Sequence, residues 1–457
     1  MFKSDLMNSG IVRYFWDPEL KYNDQSGIPI WCLGREYTSP PPKPVSTTDH
    51  GDFVEIASSA ADSQPPPSTT ASTVSTSPES TASVPPTSSS FDDASIVDGD
   101  IPSMNNESAE GGWPSAFLDD FESRIWMTYR SNFPPIPRSQ DPSATSSMTF
   151  AVRLRNLADR EGFSSDTGWG CMIRSGQSLL ANALIMLHQG RDWRRKRKQD
   201  AEEAKTVSLF ADDPRAPFSI HRFVQHGATA CGKHPGQWFG PSATASCIRA
   251  LSTEGASAGL RVYVTSDSSD VYEDTFRSVA ANTSNQIQPT LILLGIRLGP
   301  DRITPVYYEA LKSTLTYPQS IGIAGGRPSS SHYFVGCQGD SFFYLDPHET
   351  RAALPFHADP SGYTEEELAS VHTRRLRSLR ISEMDPSMLL GFLIRDEKDW
   401  TDWKRRVAEF KGKTIVRVYD KSPPGDGQTK EREGAVDEVE TFDDTEDEED
   451  TLTEVGV

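Results

Sequence analysis

From residue 172 to residue 188 the apolar side chains Ile173, Leu180, Ala183, Leu184 and Leu187 recur on one stripe at helical spacing, which predicts a long central helix packed on a core. Residues 117–129 carry the same period and predict a second helix. Farther along, the period shortens to two. Leu260, Val262 and Val264 alternate, residues 290–296 form an unbroken apolar run, and the runs 333–337 and 342–345 are parted by Gln338-Gly339-Asp340. The last pair predicts a β-hairpin. Residues 388–394 read as another strand, Trp400, Trp403, Val407 and Phe410 share a helical face, and 415–419 read as a final strand. Helices come first and strands after, so the predicted class is α+β.

Composition divides the chain. Only 36% of residues are hydrophobic, so part of the sequence is expected to stay outside any core. Residues 57–90 are mostly Ser, Thr, Pro and Ala, and from residue 422 the chain turns Pro/Gly-rich and then acidic through Asp443, Asp444, Glu446, Asp447, Glu448, Glu449 and Asp450. The segment 28–37 is nevertheless apolar enough for a core. The expected organisation is therefore an N-terminal part of the catalytic domain at 1–40, a disordered insertion at 41–112, the main catalytic domain at 113–420 and a disordered acidic tail at 421–457.

A net charge of −20 argues against nucleic-acid partners, which need a basic surface. Cys32, Cys171, Cys231, Cys247 and Cys337 are odd in number and include no Cys-x-x-Cys pair, so neither a disulfide framework nor a structural zinc site is indicated. No metal and no cofactor is expected. Lys3, Asp5 and Arg13 interrupt the N-terminus, no apolar run approaches the length of a bilayer span, and a soluble intracellular protein is expected.

The segment Ser164-Ser-Asp-Thr-Gly-Trp-Gly-Cys171-Met-Ile-Arg-Ser-Gly-Gln177 places a cysteine where a Gly-rich turn enters the long helix. Backbone N–H groups and the positive end of the dipole there stabilise a thiolate, Gly168 and Gly170 admit a close approach of backbone to substrate, and the N–H of Cys171 is placed to donate to an oxyanion. Position alone leaves two readings open, a nucleophile or a small apolar residue opening a buried helix. Tyr344-Leu-Asp346-Pro-His348 supplies a base and an orienter two residues apart on an extended chain, hence on one side of it. Taken alone, an Asp-Pro-His is a solvated turn; beside Cys171 it completes a nucleophile, a base and an orienter from two elements. His332, directly before the strand-like run, is a rival base that Asp346 would orient, and spacing leaves both histidines open. The basic run 191–198 reads either as a nuclear localisation signal or as a charged, solvated turn.

Together and in this order, Asp166-Thr-Gly-Trp-Gly-Cys171-Met-Ile-Arg, Gly236-Gln-Trp-Phe-Gly-Pro241, His332-Tyr-Phe-Val-Gly336 and Tyr344-Leu-Asp-Pro-His348 resemble the autophagins, the autophagy-related protein 4 family of cysteine proteases. The resemblance extends to Trp31-Cys-Leu-Gly-Arg-Glu-Tyr37, Arg124-Ile-Trp-Met-Thr-Tyr-Arg-Ser-Asn-Phe-Pro134, Met384-Asp-Pro-Ser387 and Gly391-Phe392. It implies a papain-like α+β fold with a small extra subdomain. It also implies, as partner, the ubiquitin-like autophagy-related protein 8, cut after a C-terminal glycine in the precursor and released from phosphatidylethanolamine in the conjugate, so that membranes are met only through the lipidated substrate. Carried over, Cys171 matches the nucleophile, Asp346 and His348 the Asp-Pro-His pair, Tyr129 the tyrosine near the oxyanion and Trp238 the tryptophan over the cleft. Gly325 and Gly326, in the run Ile323-Ala-Gly-Gly-Arg-Pro-Ser-Ser330, match a loop that closes the empty site and opens for substrate.

The location implied is the cytoplasm, with the nucleus and the preautophagosomal structure. Competing readings are a cysteine hydrolase or transferase with another acyl substrate, and a non-catalytic protein that binds the modifier in the same groove. Asp52-Phe53-Val-Glu-Ile56 has the aromatic-x-x-aliphatic spacing with which short peptides add a strand to such modifiers.

Overall fold

The computed structural model describes residues 20–22, 27–38, 111–141, 144, 148–158, 161–196, 200–255, 258–265, 269–327 and 330–423. The acidic tail beyond 423, the stretch 39–110 and the Phe53 to Ile56 motif lie outside them.

The helix Cys171–Gln189 is buried on every face from Cys171 to Met186. Its sequence permits this, because the residues that do not contribute to the apolar stripe are mostly small or neutral and can be enclosed once hydrogen-bonded. One side of it packs on a mixed sheet. Strands there run in the spatial order Arg377–Arg380, Ser341–Leu345, Ser330–Gln338, Ser320–Arg327, Ser387–Ile394, Thr290–Arg297 and Arg261–Val264. Every neighbouring pair is antiparallel except the last, in which Arg261–Val264 runs parallel to Thr290–Arg297. The predicted hairpin is present, with Ser341 opposite Gln338 across a turn in which Gly339 adopts φ +55°. A small hairpin, Ile30–Cys32 with Arg35–Tyr37, adds to Ser330–Gln338 through Trp31 opposite Cys337 and Cys32 opposite Gly336. Gly336 makes that approach possible, since a Cβ there would sit 2.3 Å from the Trp31 carbonyl.

Apolar side chains collect on both faces of this sheet, which is why Thr290–Arg297 and Ser387–Ile394 read as continuous apolar runs instead of alternating. The helix Cys171–Gln189 lies in one cluster. On the opposite side Glu397–Glu409 buries Trp400 and Trp403, with Trp400 stacked 4.1 Å from Phe276. The result is the papain-like α+β arrangement of a helical layer against a largely antiparallel sheet.

Three expectations change. The helix predicted over 117–129 spans only Ser115–Glu122. Beyond it the backbone N–H groups of Ile125 and Met127 donate to Asn182 Oδ1 at 3.0 Å and Ser178 Oγ at 2.9 Å, and that of Trp126 to the Val371 carbonyl. Partners on other elements replace the intrahelical ones, and the chain runs extended into Arg130–Ile136. The basic run 191–198 is no solvated patch where it is described. Arg191 and Arg194 both pair with the fully buried Asp120, and Arg195 pairs with Glu203. Arg191 also donates to the carbonyl of Leu33, which fastens the N-terminal hairpin. Finally, Gly325 and Gly326 are strand residues in Ser320–Arg327, opposite His332 and Ser331, rather than part of a loop. A Cβ on Gly325 would lie 2.6 Å from that of Met388, and Gly326 has φ +143°, so both glycines serve close strand packing. Residues 328–329 lie outside the described residues.

Candidate active site

Cys171 is the first residue of the long helix and is only 2% exposed. The turn before it is set by Asp166, whose carbonyl accepts the N–H groups of Trp169 at 3.1 Å and Gly170 at 2.9 Å. Gly168 supplies the φ of +91° that the turn requires. Gly170 is small for a different reason than approach to substrate. A Cβ there would fall 2.4 Å from Asp166 Oδ2. The first N–H groups of the helix have no intrahelical acceptor, so the sulfur sits where negative charge is favoured.

Asp346 and His348, the expected orienter and base, follow the strand Ser341–Leu345. Asp346 Oδ1 accepts from His348 Nδ1 at 2.6 Å and from the backbone N–H of His348 at 3.0 Å, a closed turn across Pro347. The stretch 126–129 clamps this turn from outside. The Trp126 indole donates to the Asp346 carbonyl at 2.7 Å, the Thr128 hydroxyl to the Pro347 carbonyl at 2.6 Å, and the Tyr129 N–H to that same carbonyl at 2.8 Å. These bonds hold residues 126–129 against that turn, and they deliver Tyr129 to the site. Its ring meets His348 edge-on at 5.4 Å, and the Cys171 sulfur is near enough to act on its hydroxyl. His348 Nε2 is buried without a hydrogen-bond partner among the described residues, and the Cys171 sulfur is near enough to act on its charge.

Charge follows from these contacts. Burial opposes protonation of His348, but its hydrogen bond to Asp346 and the nearby Cys171 sulfur outweigh this and push it up to about 10. Burial likewise works against the charge on Asp346, and the His348 hydrogen bond and charge overcome it, holding the carboxyl well below the usual range. Tyr129 is driven up, first by burial and then by the neighbouring sulfur, so it remains a neutral donor.

His332 lies on the adjacent strand with Nε2 3.9 Å from Asp346 Oδ1 and its ring 5.3 Å from that of His348. Burial holds it down to about 4. The ligand atoms of His332, Asp346 and His348 all lie within 4.8 Å of one another, a spacing that invites comparison with a metal site. The 2.6 Å between His348 Nδ1 and Asp346 Oδ1 is a hydrogen-bond length, shorter than the roughly 3.3 Å between ligands of a tetrahedral zinc ion.

Trp238 lies between the helices Ile220–Ala230 and Pro241–Glu254, and its indole donates to the Gly168 carbonyl at 2.9 Å, which brings it over the turn that precedes Cys171. Gln237 next to it donates to the Ala144 carbonyl at 3.0 Å, and Gly236 takes φ +85° against Phe163. The sequence reading passed over one group altogether. Arg174 Nε donates to Asp166 Oδ2 at 2.7 Å and Arg174 Nη1 to Asp212 Oδ1 at 2.8 Å, all three side chains being essentially unexposed. Its signal was two opposite charges flanking the cysteine at the start of an otherwise uncharged helix.

Residues 114–406 match the Peptidase C54 catalytic domain family. The chain is 58% identical over 443 residues, 96% of each sequence, to the probable cysteine protease atg4 of Sclerotinia sclerotiorum. It is 51% identical over 442 residues to the cysteine protease atg4 of Emericella nidulans, covering 95% of this chain and 96% of that one. With a cysteine, a histidine and an aspartate assembled at one helix start inside the matched region, the chain belongs to the Peptidase C54 family, the Atg4 cysteine peptidases of autophagy.

Proposed function

We propose that this peptidase cleaves a ubiquitin-like autophagy modifier, autophagy-related protein 8, after its C-terminal glycine, both in the precursor and in the phosphatidylethanolamine conjugate. The observation that carries the reading is the 2.6 Å bond from Asp346 to His348, with the Tyr129 ring against that histidine and Cys171 opening the long helix beside them. The Cys171 thiolate attacks the glycine carbonyl, and the Tyr129 hydroxyl with the Cys171 N–H takes the developing oxyanion. The His348 imidazolium then gives its proton to the departing nitrogen, leaving a thioester. Water, deprotonated by His348, hydrolyses the thioester and frees the glycine carboxylate.

A peptide amine and a lipid headgroup amine are equivalent leaving groups to His348, so one site serves both reactions. Trp238 is seated on the Gly168 carbonyl in the turn before Cys171, and a channel kept narrow beneath it would accept glycine and reject a β-carbon. The same reading expects the enzyme in the cytoplasm, in the nucleus and at the preautophagosomal structure, which a fluorescent fusion would test.

The test is to incubate the protein with the precursor and, separately, with the conjugate on liposomes, and to weigh the products. A modifier ending at glycine is expected from both, with cleavage at least ~10²-fold slower when that glycine is alanine. Hydrolysis of a small acyl ester with neither modifier cut would overturn the reading in favour of another acyl substrate.

A further inference from the structure

Asp166, Arg174 and Asp212 are 0%, 1% and 2% exposed and lie in the apolar half of the molecule that carries the nucleophile. Taking such charges out of water costs several kcal/mol per ion, and apolar residues of like volume are often at least as stabilising, so stability alone does not account for them. Their bonds have a common destination. Asp166 Oδ1 accepts the backbone N–H of Arg130 at 2.6 Å, and the Asp166 N–H returns to the Arg130 carbonyl at 3.2 Å. Arg130 directly follows Tyr129. Through its other oxygen Asp166 holds Arg174, which sits one turn into the helix that Cys171 begins. Arg174 passes the connection to Asp212, whose Oδ2 accepts the N–H of Leu354 at 2.8 Å, and the Asp212 N–H meets the Leu354 carbonyl at 2.8 Å. Leu354 ends the segment that leads away from His348.

Three elements remote in sequence, carrying Tyr129, Cys171 and His348, are thereby joined through one buried ion network. The absent side chain at Gly170 fits the same purpose, since it is the Asp166 carboxylate that occupies the space.

We infer that Asp166 and Arg174 are positioning residues for the reaction, setting the Tyr129 hydroxyl at the distance from the Cys171 sulfur at which it meets the oxyanion. The inference rests on the proposed chemistry for the role of Tyr129, and it adds the groups that hold that tyrosine in register. A misplacement of about 1 Å at such a donor is enough to cost ~10²-fold in rate. The carboxylate does this through two opposed acceptors, one for the Tyr129 strand and one for the Cys171 helix, so neither element can shift without breaking a charge-assisted bond.

The deciding experiment is a double-mutant cycle with the full chain and the modifier precursor as substrate. Asp166→Asn is expected to lower kcat ~10–100-fold with KM unchanged, and to slow iodoacetamide alkylation of Cys171 at pH 7 by less than ~3-fold, because alkylation develops no oxyanion. In a Tyr129→Phe background the same substitution is expected to cost less than ~3-fold more. A merely structural role predicts instead the same factor in both backgrounds, or a change in KM or melting temperature alone, and either result overturns the inference. Should Tyr129→Phe by itself leave kcat unchanged, the oxyanion assignment fails first, and positioning through Tyr129 fails with it. If Asp166→Asn does not fold, Arg174→Lys carries the same cycle, since it keeps the buried cation but replaces the rigid two-sided donor by a point charge. Loss of kcat that persists undiminished in the Tyr129→Phe background would then refute it.

Discussion

Two histidines on neighbouring strands look at the same carboxylate and end in opposite states. His348, after Ser341–Leu345, has its Nδ1 2.6 Å from Asp346 and the Cys171 sulfur beyond its other nitrogen. His332, in Ser330–Gln338, approaches that carboxylate only to 3.9 Å, packs edge-on against Tyr344 at 4.4 Å, and also meets the charges of His348 and Arg377. One is pushed up to about 10 and the other held down to about 4. Proximity to an aspartate therefore does not make a base. A directional hydrogen bond at contact distance offsets burial, whereas an attraction across a further ångström or so, opposed by two cations, does not.

The sharpest way to break this comparison is to exchange the losses. Cys171→Ala removes a single sulfur and is expected to abolish cleavage while substrate binding and melting temperature persist. His348→Ala is expected to cost ~10²–10⁴-fold in turnover and to slow alkylation of Cys171 at pH 7, whereas His332→Ala should cost less than ~10-fold. Iodoacetamide kinetics on both variants decide it. If His332→Ala silenced the sulfur and His348→Ala spared it, the assignment would be reversed.

Next in size is Asp346→Asn, which keeps the shape but loses the acceptor charge that holds the His348 tautomer. A fall of about 10²-fold or more in kcat is expected, along with a downward move of the alkaline limb of the pH–rate profile. An unchanged alkaline limb would mean that the sulfur alone supports the imidazolium. Tyr129→Phe should cost about 10²-fold in kcat and little in KM, as expected for a donor used only by the oxyanion. An equal rise in KM would make Tyr129 a substrate contact instead.

The smallest effect concerns stability and carries opposite signs for the two rings. His332 binds its proton in the unfolded chain near pH 6.5 but in the folded protein only near 4, so its contribution is present above 6.5 and is lost as pH falls through that window. His348 behaves inversely, stabilising the fold below its ordinary value and losing that contribution as pH rises toward about 10. His332→Gln should accordingly flatten the decline in melting temperature between about pH 6.5 and 4, a term of no more than ~3 kcal/mol. A decline of the same slope in the variant would assign the acid sensitivity to other groups.

How much of this was legible beforehand can be judged element by element. The hairpin around Gly339 was visible because alternation of apolar residues and a turn glycine are local properties, and the long helix was visible because its stripe runs for several turns. The closeness of Asp346 and His348 was likewise local, being a two-residue spacing stiffened by proline. The end of the helix Ser115–Glu122 was not, because the groups that draw the chain away from helix, Ser178 and Asn182, lie more than fifty positions on. Nor was the fate of Arg191 and Arg194, whose partner Asp120 precedes them by about seventy positions and is fully enclosed.

By itself, then, the sequence determined the class of the fold, the motif order that marks the family and the three residue types needed for thiol chemistry. Only the tertiary structure decided which histidine bonds Asp346 at contact distance, that Gly325 and Gly326 are strand residues, and that Asp166, Arg174 and Asp212 form one buried network. The physical reason is the range of the forces involved. Periodicity and turn chemistry act between residues a few positions apart and leave their trace in local order. Hydrogen bonds and charge interactions act over a few ångströms of space and are opposed by desolvation on burial, and packing alone sets those distances for residues far apart along the chain.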